Sequence, residues 1–172
     1  MAETDVEFLT QEQKKTRPKF EDVAGSFLSG EVLENALDFV AYLRENNMAP
    51  ARASTNAWKA AYKNKGVCYV RIPYESNDPN SRTNTWNIGP PGDDCLTFPM
   101  TDRMKEILWS SVKQCNACNG RYIGKKRPCN FGTDRTIFGR EFKRVCGYAI
   151  KNPSGEALDF AKLWVEARKL SI

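Results

Sequence analysis

Apolar and polar positions alternate in different ways along this chain, and each change of period marks an element. Leu33, Ala36, Leu37, Val40 and Leu43 recur at helical spacing, with Phe39 beside them. Ser29 stands where an N-cap belongs, and Glu31 and Glu34 fall in the first turns, where the helix dipole favours acids. Asn46-Asn47 and then Pro50 end the helix. One face belongs to a core, and Tyr42 and Arg44 are expected to look outward.

The period then shortens. Residues Ala57–Lys63 place Trp58, Ala60 and Tyr62 on one side, and Asn64-Lys65-Gly66 reads as a tight turn. Val67–Ile72 puts Cys68, Val70 and Ile72 on one face and Val67, Tyr69 and Arg71 on the other. A polar loop, Pro73–Arg82, leads to a third strand at Thr83–Ile88, broken by Gly89-Pro90-Pro91-Gly92. Three neighbouring strands without crossover helices predict an antiparallel sheet.

Thr101 caps a second helix with Met104, Ile107, Leu108 and Val112 on one face and Trp109 at its edge; this helix is expected to run into Cys115. A further strand is expected at Arg144–Ile150, with Gly139-Arg140 as a turn before it. Pro153-Ser154 open a last helix to about Leu170, whose stripe is Leu158, Ala161, Trp164, Val165 and Ala167. Residues 1–26 show no sustained period. Beyond a short helix at Thr10–Thr16 they read as a flexible or loosely ordered N-terminal segment, with residues 27–172 as a single domain. The fold class expected is α+β: an antiparallel sheet of three to five strands packed against two or three helices, with a zinc-stabilised loop at 113–146 held by four cysteines.

Composition narrows the functional classes. Hydrophobic residues make up 41%, with nine Phe, four Trp and six Tyr, so a core can form without a metal. No apolar run approaches the ~18 residues of a membrane span, and the start, Met1-Ala2-Glu3-Thr4-Asp5, is polar and acidic. A cytoplasmic protein with reduced thiols and no membrane partner is the expectation. Histidine is absent, which excludes Ser-His-Asp and Cys-His nucleophile pairs and any His-ligated catalytic zinc. With no assignable nucleophile–base pair, catalytic residues are expected to be none.

The net charge of +5 is unevenly spread. Residues 1–50 carry five basic and ten acidic side chains, whereas residues 113–146 carry nine basic against two acidic. The positive charge therefore coincides with the cysteine-rich stretch. It reads either as a solvated surface or as a contact for a polyanion.

Cys115 and Cys118 form a Cys-x2-Cys pair; ten residues separate Cys118 from Cys129, and sixteen separate Cys129 from Cys146. A tight turn after the first sulfur lets such a pair address one ion, and Asn119-Gly120 supplies turn chemistry just behind it. Four thiolates close a tetrahedron, leaving no coordination position for water, so the expected cofactor is a structural zinc. The stretch 119–145 is poor in aliphatics and would gain a shape from the metal. An iron–sulfur cluster uses the same ligands, and a thiol-redox role for Cys115 and Cys118 is a further alternative. Cys68 and Cys95 read as small core or strand residues.

Trp58, Tyr62, Tyr69 and Trp86 fall on adjacent predicted strands. They read as a core under the helices or as the lining of a ligand cleft, with Trp58, Tyr69 and Trp86 as the ligand-binding candidates. Lys125, Lys126, Arg127 and Arg144 are the candidates for phosphate or nucleic-acid contact, although Gly124-Lys125-Lys126-Arg127 lacks P-loop spacing. Asp93-Asp94 read as a solvated turn.

The run from Trp58-Lys59 through Tyr62-Lys63-Asn64-Lys65-Gly66-Val67-Cys68-Tyr69-Val70-Arg71-Ile72 resembles a hairpin in a family of small clostridial (Firmicutes) proteins. So does the later string of Cys115, Cys118 and Cys129, then Ile137-Phe138-Gly139-Arg140-Glu141-Phe142, Val145-Cys146 and Asn152-Pro153. The resemblance covers roughly residues 30–170. It implies a stand-alone cytosolic bacterial protein with a C-terminal four-cysteine motif, and it brings no established activity with it. The reading that follows is a non-enzymatic zinc-stabilised binding domain for a small ligand or protein partner. The alternatives are a nucleic-acid-associated protein using the basic zinc loop and a thiol-redox protein using the CxxC pair.

Overall fold

A computed structural model describes residues 5–73, 83–90, 92, 96–114 and 132–172. Among these residues the architecture is α+β, with five helices, a five-stranded antiparallel sheet and a second, three-stranded antiparallel sheet.

The N-terminal segment departs from the loose arm expected of it. It forms α1 (Asp5–Thr16) and α2 (Phe20–Phe27). Phe20 and Ala24 of α2 are fully buried, and Phe20 meets Trp58 edge-on with ring centroids 5.1 Å apart. Gln13 and Asn56 exchange two hydrogen bonds: Gln13 Nε2 donates to Asn56 Oδ1 (2.6 Å), and the Asn56 N–H donates to Gln13 Oε1 (2.9 Å). The Trp58 indole N–H donates to the Pro18 carbonyl at 2.9 Å. Phe20, Val23, Ala24, Phe27 and Leu28 also stand at helical spacing and pack on the core, a short stripe that the expectation of a loose segment overlooks.

Helix α3 (Gly30–Glu45) follows the predicted pattern, with Ala36, Phe39, Val40 and Leu43 buried. Ser29 begins it without a side-chain cap; its N–H donates instead to Asn84 Oδ1 at 2.8 Å. Strands β1 (Ala51–Ser54), β2 (Ala57–Tyr62), β3 (Lys65–Arg71), β4 (Asn87–Gly89) and β8 (Ile150–Lys151) pair in the order β1-β2-β3-β4-β8. The β2–β3 turn falls at Lys63 and Asn64 (φ 45° and 66°), the left-handed pair that a tight hairpin needs, one residue ahead of the expected Asn64-Lys65-Gly66, whose last two residues belong to β3. β1 was not expected, because Ala51-Arg52-Ala53-Ser54 carries no strand composition; its pairing with β2 creates it. The strand predicted at Thr83–Ile88 shortens to β4.

Helix α4 (Asp102–Ser111) starts as predicted, with Thr101 Oγ1 accepting the Met104 N–H at 3.2 Å. It does not run into Cys115. It stops at Ser111, and β5 (Val112–Gln114) pairs with β7 (Arg140–Tyr148) instead. β-Branched Val112 suits a strand, and its partner Tyr148 supplies one. β6 (Thr133–Ile137) and β7 form a hairpin around Phe138 and Gly139 (φ 46° and 83°), giving the order β5-β7-β6. The strand expected at Arg144–Ile150 thus begins earlier and is divided between the two sheets. α5 (Glu156–Leu170) closes the fold against β3, α3 and α4.

One apolar core joins the layers. Trp58, Trp86 and Trp164 are fully buried; Trp86 packs near Phe39, while Trp164 meets both Tyr148 and Phe160. Each such side chain removed from water contributes on the order of 1.5–3 kcal/mol. Trp109 ties α4 to the hairpin, its indole N–H donating to the Ile137 carbonyl at 2.8 Å.

Candidate functional site

The three-stranded sheet is built around an irregular stretch of β7. Gln114 of β5 and Thr133 of β6 both pair with Val145, one from each side. Lys113 pairs with Gly147, so Cys146 is the extra residue of a bulge. Its sulfur lies 3.3 Å from the Lys113 carbonyl oxygen, and the side chain is partly exposed. A second irregularity lies two residues earlier, where Arg144 takes φ 51°. Asp134 braces that turn: it accepts the Arg144 N–H at 2.9 Å and pairs with Lys143 at 3.1 Å. The Arg144 N–H and then Lys143 hold the Asp134 carboxyl below its ordinary pKa. Gly132 approaches so closely that a Cβ there would stand 2.9 Å from the Arg144 carbonyl oxygen.

Cys115, Cys118 and Cys129 lie outside the described residues, as do Lys125, Lys126 and Arg127. Asp93, Asp94 and Cys95 do as well. Among the described residues, no three His, Cys, Asp or Glu side chains gather as a metal-holding group. Cys146 therefore represents the proposed metal ligands here, and Arg144, exposed on β7, represents the candidate phosphate contacts. Arg140 lies on the same strand, its guanidinium 5.5 Å from the Trp109 ring and 5.2 Å from the Phe142 ring.

The aromatic trio proposed to line a ligand cleft is divided by the sheet. Trp58 pairs with Val70 and Lys59 with Tyr69, so Trp58 and Tyr69 point to opposite faces. Trp58 and Trp86 are both at 0% exposure and belong to the core, with no surface to offer a ligand. Tyr69 alone of the three borders a cleft. It lines a hollow of about 370 Å³ with Lys59, Gly66, Gly89, Pro90 and Arg168. Arg71 lies over the Tyr69 ring at 4.8 Å. Lys59 and Arg168 were not singled out from the sequence. The only trace of Lys59 was its polar place in the alternation, and Arg168 reads there as an ordinary basic residue in a helix's last turn.

Cys68 lies beneath this hollow, 3% exposed, and burial pushes its thiol up to about 12. It is an apolar core group with no thiolate to offer a metal or substrate near neutrality. Comparison with protein-family models, curated proteins and solved structures found no match to this chain.

Proposed function

We propose that this protein is a non-enzymatic, zinc-stabilised binding domain. The observation that carries the metal is the meeting of β5 and β6 at Val145. Gln114 and Thr133, the paired residues on either side of positions 115–131, thereby stand beside Cys146, the fourth cysteine of the motif. Cys115 directly follows Gln114 in the sequence, and Cys129 stands three residues before Gly132. The partly exposed sulfur of Cys146 contrasts with the sealed thiol of Cys68, as expected of a ligand and a core residue respectively. Zinc held by Cys115, Cys118, Cys129 and Cys146 would tie the basic loop to the three-stranded sheet. The ligand surface is the hollow at Tyr69, where one aromatic ring and the cations Lys59 and Arg168 suit a small acidic molecule or an acidic protein segment.

The test is elemental analysis of protein purified under reducing conditions. One zinc per chain is expected, lost when any of the four cysteines becomes serine and retained in Cys68→Ala. A metal-free, folded parent protein would overturn the zinc reading. Reversible cycling of Cys115 and Cys118 between dithiol and disulfide in that protein would make it a redox protein instead. A second reading, nucleic-acid association, is favoured by the exposed Arg135, Arg140, Lys143 and Arg144 on the β6–β7 hairpin, which adjoins the segment carrying Lys125, Lys126 and Arg127. It requires binding to DNA or RNA that weakens steeply with salt.

A further inference from the structure

The N-terminal fifty residues are acidic in sum, yet the fold places three of their five basic residues around one cleft. Lys14, Arg17, Pro18 and Lys19, at the corner between α1 and α2, face Pro50, Ala51, Arg52 and Ala53 of the sheet's edge across a cleft of about 450 Å³. Four cations line this cleft and no carboxylate does. Among the described residues, none of the four has an ion-pair partner. Two acids stand close by without lining the cleft: Glu21 takes Arg44 at 2.8 and 3.0 Å, and Asp22 accepts the Lys19 backbone N–H at 2.9 Å. The Nε of Arg52 is buried with no acceptor, so its guanidinium is held in the wall without an anion of its own.

The helix dipole accounts for Lys14, which lies in the last turn of α1. It does not account for Lys19 or Arg52, which lie on other elements. The corner is also rigidly built. Pro18 is held by the Trp58 indole, Gln13 by Asn56, and Thr10 Oγ1 by Thr55 Oγ1 at 2.8 Å. Arg17, which lines the cleft, takes φ 47°, a left-handed conformation that costs a non-glycine residue energy.

We propose that this cleft binds a compact phosphate-bearing anion. A single carboxylate would leave most of the local charge unbalanced, whereas two or three adjacent phosphates match four cations. Arginine also presents the planar donor fork that phosphate oxygens accept. The site shares no residue with the Tyr69 hollow or the cysteine motif, so it stands or falls apart from the function proposed above.

Pyrophosphate is the probe, titrated calorimetrically into the full chain at low salt. One site per chain is expected, with amide shifts at residues 14–19 and 50–53. Arg17→Gln and Arg52→Gln should each weaken binding at least roughly tenfold, as expected for a lost hydrogen bond between charged partners. Lys63→Gln, an exposed charge on the β2–β3 turn, should leave binding unchanged. Arg17 is exposed, so its variant keeps the test informative if Arg52→Gln fails to fold. No binding, or binding indifferent to both variants, would overturn the proposal. So would a loss caused by Lys59→Gln alone, or a duplex oligonucleotide that outcompetes pyrophosphate for the same residues.

Discussion

Two cysteines with the same side chain show how environment decides chemistry. Cys68 is enclosed between sheet and helix, and desolvation opposes its ionisation. Native protein at pH 8 should therefore resist iodoacetamide at Cys68, and urea should unmask it; prompt labelling of the folded chain would refute the assignment. The sign of the linkage follows from the raised folded value. Below the ordinary thiol range both states are protonated and the contribution is intact. As pH climbs from that range toward about 12, the unfolded chain ionises while the folded one does not, and stability is progressively lost. Cys146 sits instead in a bulge and is partly open to solvent. The cysteine spacing was readable as a candidate site because metal ligation imposes local spacing. The placement of Trp58 and Trp86 was not: alternation puts a residue on a face, and only packing says which face is sealed.

At the scale of elements, the N-terminal helices are the instructive case. Their attachment rests on Phe20, Ala24 and the Gln13–Asn56 pair. Phe20 is at 0% exposure, so Phe20→Ala should cost about 3–5 kcal/mol in urea unfolding. Gln13→Ala leaves buried Asn56 groups without their partner and should cost about 1–3 kcal/mol. Near-zero changes in both would mean that these helices are not docked in solution. Elements with a dense apolar period, α3, β2, β3 and α5, could be drawn from sequence, because each buries a regular stripe. β6 could not: Thr133-Asp134-Arg135-Thr136 are all exposed, and the strand owes its existence to pairing with β7.

Across the whole molecule, the two sheets divide the labour. The five-stranded sheet and its helices hold most of the largest fully buried side chains, while the three-stranded sheet holds the residues that flank the cysteine-rich segment. On the proposed zinc reading, a chelator should act on one sheet more than on the other. Hydrogen exchange is expected to accelerate at β5, β6 and β7 while β2 and β3 stay protected, because their core needs no metal. Uniform loss of protection would show instead that the metal supports the entire fold.

The residues of this chain settle what depends on near neighbours. These include the helical stripe of α3, the cap at Thr101, the β2–β3 turn, the exclusion of histidine chemistry and the four-cysteine spacing. Periodicity, capping and ligand spacing act over a few residues, so they can be read along the chain. The tertiary structure alone decides which strands share a sheet, that Tyr69 faces a hollow while Trp58 is sealed, and that β5 and β6 meet at Val145. It also decides that three cations of an acidic segment converge on Arg52. Those outcomes join residues far apart in sequence, through strand pairing, burial and electrostatic proximity, none of which has a local signature.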